Sequence, residues 1–463
     1  MNLLVKFRKS IMLALKALIM IALIFSFICI WFNWYEEALY SDKGNYVVGL
    51  SYIVILGAFV NLYGCLKIGV MRLHEVIYSF FLSTFITNFI MYLELSLIAR
   101  AMLNPLPMLL NMVYQTAIII LGCVSANTVY FKLYKARNIL ALYGPNDWDK
   151  ETVRKMKLIK ERYNISKGLS VDHHNMEEIK SEIDRFEAVL ICDFDKALKD
   201  EVLRYTYATR KRIYLLPSAN DIIVNNCYQS QIFDTPVLIC RNRGLSIEQA
   251  IIKRAMDILV SGLGILVTSP IMAVIAVAIK LCDGGPVLFK QNRVTQNGRI
   301  FNVLKFRSMI VDADKDGAQK AVDNDKRITP VGKVIRAIRM DELPQLFNIL
   351  KGDMSLVGPR PERTENVHEY VTMYPEFDLR HRVKGGLTGY AQVYGKYNTS
   401  PQDKLNMDLI YIENYSILLD IKLLIMTVKI LFMKESTEGF DASANENVEK
   451  PNVKEADSGD FEE

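Results

Sequence analysis

"MDILVSGLGILVTSPIMAVIAVAIKL", residues 256–281, decides how this chain is arranged about a membrane. It is long enough to cross a hydrocarbon core, which takes about 20 apolar residues. Lys253 and Arg254 precede it, Lys280 lies at its end, and Ser269-Pro270 interrupts it near the middle. If it crossed, Lys290, Arg293, Arg299, Lys305 and Arg307 would follow at once on the far side. Cations near a span favour the cytoplasmic face, so this order argues against crossing. Proline removes a helix hydrogen bond, and a serine can satisfy the carbonyl it frees. The stretch therefore reads as a helix–break–helix that enters and returns to one face. A fifth span kinked at Pro270 is the alternative.

Working outward, four more apolar stretches fill the first third of the chain, at 10–34, 46–66, 76–99 and 101–125. Lys6, Arg8 and Lys9 flank the first. The loop after it carries Glu36, Glu37 and Asp42 against Lys43, the next carries Lys67 and Arg72, and Lys132, Lys135 and Arg137 follow the fourth. Positive residues thus alternate as expected for four spans with the N-terminus and residue 128 onward on the inside. The first stretch is too long for a signal-peptide core and no small-residue cleavage site follows it. Glu94, at a span end, suits a bundle interior or the interface equally. The segment 409–433 is apolar but carries Glu413, Asp420, Lys422 and Lys429, which suits an amphipathic helix lying in the interface.

With 463 residues, 51% of them hydrophobic, the chain is too apolar for an ordinary soluble protein and long enough for two or three domains. Its net charge of +5 is unevenly spread: residues 434–463 hold ten acids and three lysines, with few large apolar residues, and read as a disordered tail. The basic remainder suits an anionic membrane surface or phosphorylated substrates rather than nucleic acid. Cys29, Cys65, Cys123, Cys192, Cys227, Cys240 and Cys282 are scattered, with no C-x-x-C or His/Cys cluster. Neither a disulfide framework nor a zinc site is expected, and a reducing compartment is. His173 and His174 read as surface residues.

Residues 138–245 alternate short apolar runs with charged stretches. "NILALYG" (138–144), "AVLICD" (188–193), "RIYLLPS" (212–218) and "TPVLIC" (235–240) read as strands, and "DKETVRKMKLIKERY" (149–163) as a helix. This predicts a small parallel, doubly wound sheet. "YGPND" follows the first strand where a dinucleotide site would need G-x-G-x-x-G.

From 283 onward Arg, Lys, Gly and Pro punctuate short apolar runs. "PVLFKQNRV" (286–294) and "IFNVLKFRSM" (300–309) predict a hairpin turning at Asn297-Gly298. Alternation places Lys305 and Arg307 on one face, where two cations could hold a diphosphate or simply form an exposed basic surface. The polar connector 312–336 holds five aspartates, but its glycine and glutamate are not spaced as in a calcium loop. In "RMDELPQLFNIL" (339–350), Asp341, Glu342 and Pro344 fit a helix start, with Asp341 as N-cap. They also fit phosphate chemistry at a positive helix end. Arg336 and Arg339 stand just before, and Arg360 is stiffened between Pro359 and Pro361 for a fixed phosphate contact.

Taken in order, seven motifs from Lys253 to Phe432 resemble the bacterial sugar transferases, the monotopic polyprenyl-phosphate hexose-1-phosphate transferases. They are Lys253-Arg254-x-x-Asp257, Ser269-Pro270, Gly285-Pro286-Val287, "KFRSM" (305–309), "DELPQ" (341–345), "GPRPE" (358–362) and "GLTGYAQV" (386–393). The four spans and the inserted α/β domain resemble the long form of that family. The resemblance implies a division into a four-helix transmembrane bundle (1–130), a cytosolic Rossmann-like domain without a dinucleotide fingerprint (131–248), a monotopic α/β catalytic domain anchored by the re-entrant helix (249–433), and the tail. It implies transfer of glucose or galactose 1-phosphate from a UDP-hexose to undecaprenyl phosphate at the plasma membrane. UMP leaves, and the step initiates capsule or exopolysaccharide synthesis.

The resemblance makes Asp341 the nucleophile, with Glu342 supporting metal and proton chemistry and both holding Mg2+. It puts Lys305, Arg307, Arg336 and Arg360 at phosphate-facing positions, and Glu362, Gln392 and Lys396 at substrate contacts. The sequence departs from the family pattern at Lys384-Gly385-Gly386, where Lys-Pro-Gly is usual, at Tyr390, where tryptophan is usual, and at Lys396, where arginine is common. A homodimer through the spans and the α/β domain is an expectation. A non-catalytic membrane scaffold in polysaccharide assembly is the alternative function. A glycosidase fits badly, because adjacent residues in a helix point about 100° apart rather than facing each other across a bond.

Overall fold

The computed structural model describes residues 6–40, 43–145, 147–157, 162–240, 244–311, 325, 327–395 and 399–431. The acidic tail, much of the connector 312–336, and Lys396 lie outside them. Four helices open the chain: α1 (Arg8–Trp34), α2 (Gly44–Leu62), α3 (Leu73–Ile98) and α4 (Leu106–Leu133). Each is long and apolar enough to cross a membrane, as is a fifth, Ile247–Asp283. This is a membrane protein. A stripe on α1 (Met12, Ile19, Leu23, Phe27, Trp31) is buried against Tyr52, Leu56, Phe80, Met91 and Ile119. Polar groups add specificity: Gln115 Nε2 donates to Leu23 O, Ser26 Oγ and Tyr52 OH at 3.2, 2.9 and 2.9 Å, and Gln115 Oε1 accepts from Asn88 at 2.8 Å. One α4 side chain so joins all four helices, at roughly 0.6 kcal/mol per bond in an apolar surrounding. Glu94 turns toward α2, accepting from Ser51 Oγ at 3.0 Å.

A four-stranded parallel sheet follows, in the order β2-β1-β3-β4: β1 (Arg137–Tyr143), β2 (Tyr163–Ser170), β3 (Ala188–Ile191) and β4 (Arg212–Leu215). Side-chain alternation divides its burial between two faces. Leu140, Leu142, Val189 and Ile191 pack on α6 (Met176–Arg185) and α7 (Lys196–Ala208). Ile139, Ala141, Ala188 and Leu190 pack with Val153 of α5 (Asp147–Lys157). The doubly wound arrangement is as expected, but two assignments change. β2 occupies a polar stretch with no apolar run, because this edge strand buries only its last three residues. "TPVLIC" does not join the sheet. After α8 (Ala219–Asn225), β5 (Tyr228–Ile232) and β6 (Thr235–Ile239) form a separate antiparallel hairpin. Pro236 lacks the N–H an interior strand needs. Pairing Tyr228 with Ile239 brings Cys227 and Cys240 to a Cα separation of 4.4 Å, where they form a disulfide. That overturns the expectation of none.

α9 (Ile247–Asp283) starts at a capping box, Ser246 with Gln249, and ends at Gly284 with φ of 70°. Its helical assignment runs unbroken through Pro270, so the expected interruption at Ser269-Pro270 does not appear as a loss of helix. Proline cannot donate to the carbonyl of Leu266, and the Ser269 hydroxyl does so instead at 2.9 Å. Both halves of α9 pack on one α/β body. Lys253 reaches Asp420, and Asp257 accepts from Ser355 Oγ and Leu356 N–H at 3.0 and 2.9 Å. Farther on, Met272, Ile275 and Ile279 pack on Phe306 and Ile335.

That body contains the antiparallel hairpin β7 (Leu288–Val294) and β8 (Ile300–Phe306), turning through left-handed Asn297 and Gly298 as expected. α10 (Pro330–Ala337), a 3₁₀ turn at Met340–Glu342 and α11 (Gln345–Lys351) come next. β9 (Ser355–Val357) pairs in parallel with β10 (Gly386–Thr388), with α12 (Thr364–Met373) between them. α13 (Tyr390–Tyr394), α14 (Pro401–Glu413) and α15 (Ile417–Leu431) close the described chain. Two of the four charges in 409–433 are turned inward. Asp420 and Lys429 are buried, the first against Lys253 and Tyr411, the second donating to Ser79 Oγ of α3 at 2.6 Å. α15 is a core element between the N-terminal helices and the α/β body, with Met426 in one core and Leu423 in the other.

Candidate active site

Asp341 does not cap a helix. Met340–Glu342 is one 3₁₀ turn, entered through Arg339 at φ 54°, and Asp341 forms no side-chain cap. The helix-mouth reading therefore fails at this position, and the acid pair is presented on a tight turn. Several elements hold it in place. Asn348 of α11 accepts from Leu304 N–H at 2.9 Å and donates to Asn302 O at 2.8 Å, locking β8 beside the turn. Lys305, next to last in β8, thereby reaches Glu342 Oε1 at 2.8 Å. Gly358 and Gly389 let the backbones after β9 and β10 approach so closely that a Cβ on either would overlap main chain. Gly386 N–H donates to Pro359 O at 2.9 Å, and Arg293 donates to Pro361 O at 2.9 Å. Arg360 is fixed between these contacts. It reaches the same Glu342 oxygen at 2.8 Å and Gln392 Oε1 at 3.2 Å.

Two adjacent carboxylates so occupy opposite environments. Burial alone would raise Glu342, but Arg360 and Lys305 outweigh it and hold its carboxyl far below the ordinary glutamate range. Asp341 is raised, by burial first and by the Glu342 charge; Lys305 and Arg336 pull it back only in part. Among the described residues no cation lies within ion-pair distance of Asp341, while Glu342 is clamped by two.

Lys305, Arg336, Glu342, Arg360 and Gln392 thus gather around Asp341. Arg307 does not join them. It pairs with Asp283 at the end of α9 and packs on Gly285. Glu362 lies one layer behind, between Lys404 at 3.4 Å and Arg293 at 4.0 Å. Although burial raises it, Lys404, Arg380 and Arg293 keep it ionised. Ser269 and Pro270 are part of α9, away from the acid pair in sequence and engaged with its backbone. Sequence reading missed Asn348, Arg293 and the buried Arg380–Asp408 pair at 2.7 Å; no motif logic marks residues that act through backbone contacts.

Among the described residues no group of three or more His, Cys, Asp or Glu could enclose a metal. Asp341 and the free Glu342 oxygen still suit Mg2+, which takes one or two carboxylates and fills its other positions with phosphate oxygens and water.

Fold and site together define a membrane protein whose α/β domain, fastened to a long apolar helix, carries a free carboxylate among cations. Residues 248–434 match the family described as bacterial sugar transferase. The chain is 48% identical over 183 residues to the UDP-N-acetylgalactosamine-undecaprenyl-phosphate N-acetylgalactosaminephosphotransferase of Aeromonas hydrophila, covering 39% of this chain and 43% of that protein. It is 38% identical over 265 residues to the UDP-glucose:undecaprenyl-phosphate glucose-1-phosphate transferase of Klebsiella pneumoniae, covering 56% of each. The sugar transferase EpsL of Bacillus subtilis, named as uncharacterized, is 38% identical over 189 residues, 41% of this chain and 91% of EpsL. The chain belongs to the bacterial sugar transferase family. The matches to the first two relatives span about half the length of those proteins.

Proposed function

We propose that this chain transfers a hexose 1-phosphate from a UDP-hexose to undecaprenyl phosphate, releasing UMP, as the first membrane step of capsule or exopolysaccharide assembly. The observation that carries the reading is the half-buried Asp341, with no ion pair among the described residues, beside a Glu342 already neutralised by Lys305 and Arg360. An Asp341 oxygen attacks the β-phosphorus of the donor. The bond from that phosphorus to the bridging oxygen breaks, and UMP leaves with the electron pair. A phosphate oxygen of the lipid then attacks the phosphosugar held on Asp341. The aspartyl–phosphorus bond breaks, and the free carboxylate returns with no net proton change. Lys305, Arg336 and Arg360 supply positive charge where an anionic nucleophile meets an anionic diphosphate. Mg2+ bound at Asp341, Glu342 and the diphosphate would neutralise charge on the departing UMP.

The donor sugar is glucose, galactose or an N-acetylated hexose; the names of the relatives cover glucose and N-acetylgalactosamine. The catalytic face is cytoplasmic, with the four N-terminal helices as a spanning bundle and α9 as a re-entrant anchor. Support comes from contacts of both halves of α9 with one α/β body, which a helix crossing alone would not make. Membranes holding the protein, given labelled UDP-hexoses and undecaprenyl phosphate, are expected to yield labelled lipid and UMP. No UMP from any donor would contradict the reading, and unchanged polysaccharide assembly in Asp341→Asn would favour the scaffold alternative.

A further inference from the structure

Beneath Glu342 lies a cavity of about 230 Å³ with a predominantly hydrocarbon wall, including Leu343, Leu346, Leu387, Leu424 and Ile430. Its polar lining is small and almost fully accounted for. Thr427 donates to Leu423 O at 2.7 Å, and its hydroxyl lies 2.6 Å from that of Thr388. Glu342 is occupied by Lys305 and Arg360. Two donor groups remain. Gln392 gives its oxygen to Arg360, while its buried Nε2 has no partner among the described residues. Arg339 lines the cavity, and its guanidinium makes no ion pair among the described residues. A bulky residue held at φ 54° is a backbone outlier. Its position directs a cation to the edge of an apolar cavity.

We infer that this cavity receives the first branched hydrocarbon units of the lipid acceptor, with Arg339 and Gln392 Nε2 binding its phosphate. The inference rests on the transferase reading and names the acceptor's place within it. Glu342 Oε1 is already taken by Lys305 and Arg360, the two free donors favour an anion, and a leucine wall favours hydrocarbon. A nucleotide would leave that wall facing polar groups. The surroundings are continuous with apolar surface: Leu346 packs at Gly264 of α9, where Leu263 and Val267 are exposed, and α15 exposes Ile421 and Val428. Arg339 is then a specificity residue for the second half of the reaction.

The test is binding of radiolabelled undecaprenyl phosphate and undecaprenol to the full chain in phosphatidylcholine nanodiscs. The wild type is expected to prefer the phosphate by about tenfold or more, from one charge-assisted contact. Arg339→Asn, which tolerates the left-handed backbone, is expected to lose that preference, and Arg339→Lys to keep most of it. Thr427→Trp, filling the cavity, is expected to weaken both lipids. Retained preference in Arg339→Asn, or wild-type binding by Thr427→Trp, overturns the inference. Failure of the transferase reading looks different: the wild type would bind the lipid phosphate as expected yet release no UMP from any UDP-hexose.

Discussion

Lys305 and Arg360 donate to the same oxygen of Glu342, each at 2.8 Å, although one is next to last in a strand and the other sits between two prolines. Glu342 thereby absorbs two cations, and the neighbouring Asp341 is left without an ion pair among the described residues. The division of labour between two adjacent acids follows from this one relationship.

Asp341→Asn is expected to lower transfer at least about 10³-fold, as for loss of a nucleophile, yet to leave the fold more stable at neutral pH. Burial raises the carboxyl in the folded state, so its ionised form costs stability above that raised value. Thermal unfolding should show Asn ahead at pH 7, with the gap closing below the usual aspartate value of about 3.9.

Glu342→Gln should behave in the opposite sense. The carboxylate is held far below its usual range, so its stabilisation is present above about pH 4.3 and lost as pH falls toward the folded value. At pH 7 a loss of about 2 kcal/mol is expected from weakened charge-assisted bonds to Lys305 and Arg360, read by denaturant unfolding.

The pH profile of kcat/KM should fall on the acid side as Asp341 protonates, above the ordinary aspartate range. Lys305 is the largest charge opposing that rise, so Lys305→Met should move the acid limb to higher pH. An unmoved limb would assign it to another group.

Lys253 and Asp420 form a buried pair at 2.5 Å joining α9 to α15. Lys253→Met leaves Asp420 buried without its cation, at an expected cost of about 3–5 kcal/mol. The double variant Lys253→Met with Asp420→Leu should recover much of that loss in unfolding measurements.

Exposed Cys282 at the end of α9 reports which side that end lies on. A membrane-impermeant maleimide should reach it from the cytoplasmic face in inverted vesicles and not from outside in intact cells. Labelling from outside would make α9 a span.

Much of this was legible in local sequence. The Asn297-Gly298 turn, the Asp341-Glu342 pair and proline-flanked Arg360 act within a few residues of their own motif. What was illegible depended on distant partners. Asp420 and Lys429 read as interfacial because Lys253 and Ser79, which bury them, lie 167 and 350 residues away. Arg307 read as a phosphate ligand because strand alternation cannot reveal that Asp283, 24 residues away, pairs with it. Cys227 and Cys240 lacked any recognised spacing; only strand pairing set them opposite each other.

The central claim is that Asp341 carries the phosphosugar between donor and acceptor. The direct measurement is mass analysis of peptides from the acid-quenched wild type after exposure to its UDP-hexose without lipid acceptor. A hexose-phosphate adduct on Asp341, discharged when undecaprenyl phosphate is added before quenching, is the expected result. Active enzyme that releases UMP with no adduct, or with the adduct on another residue, would contradict the account.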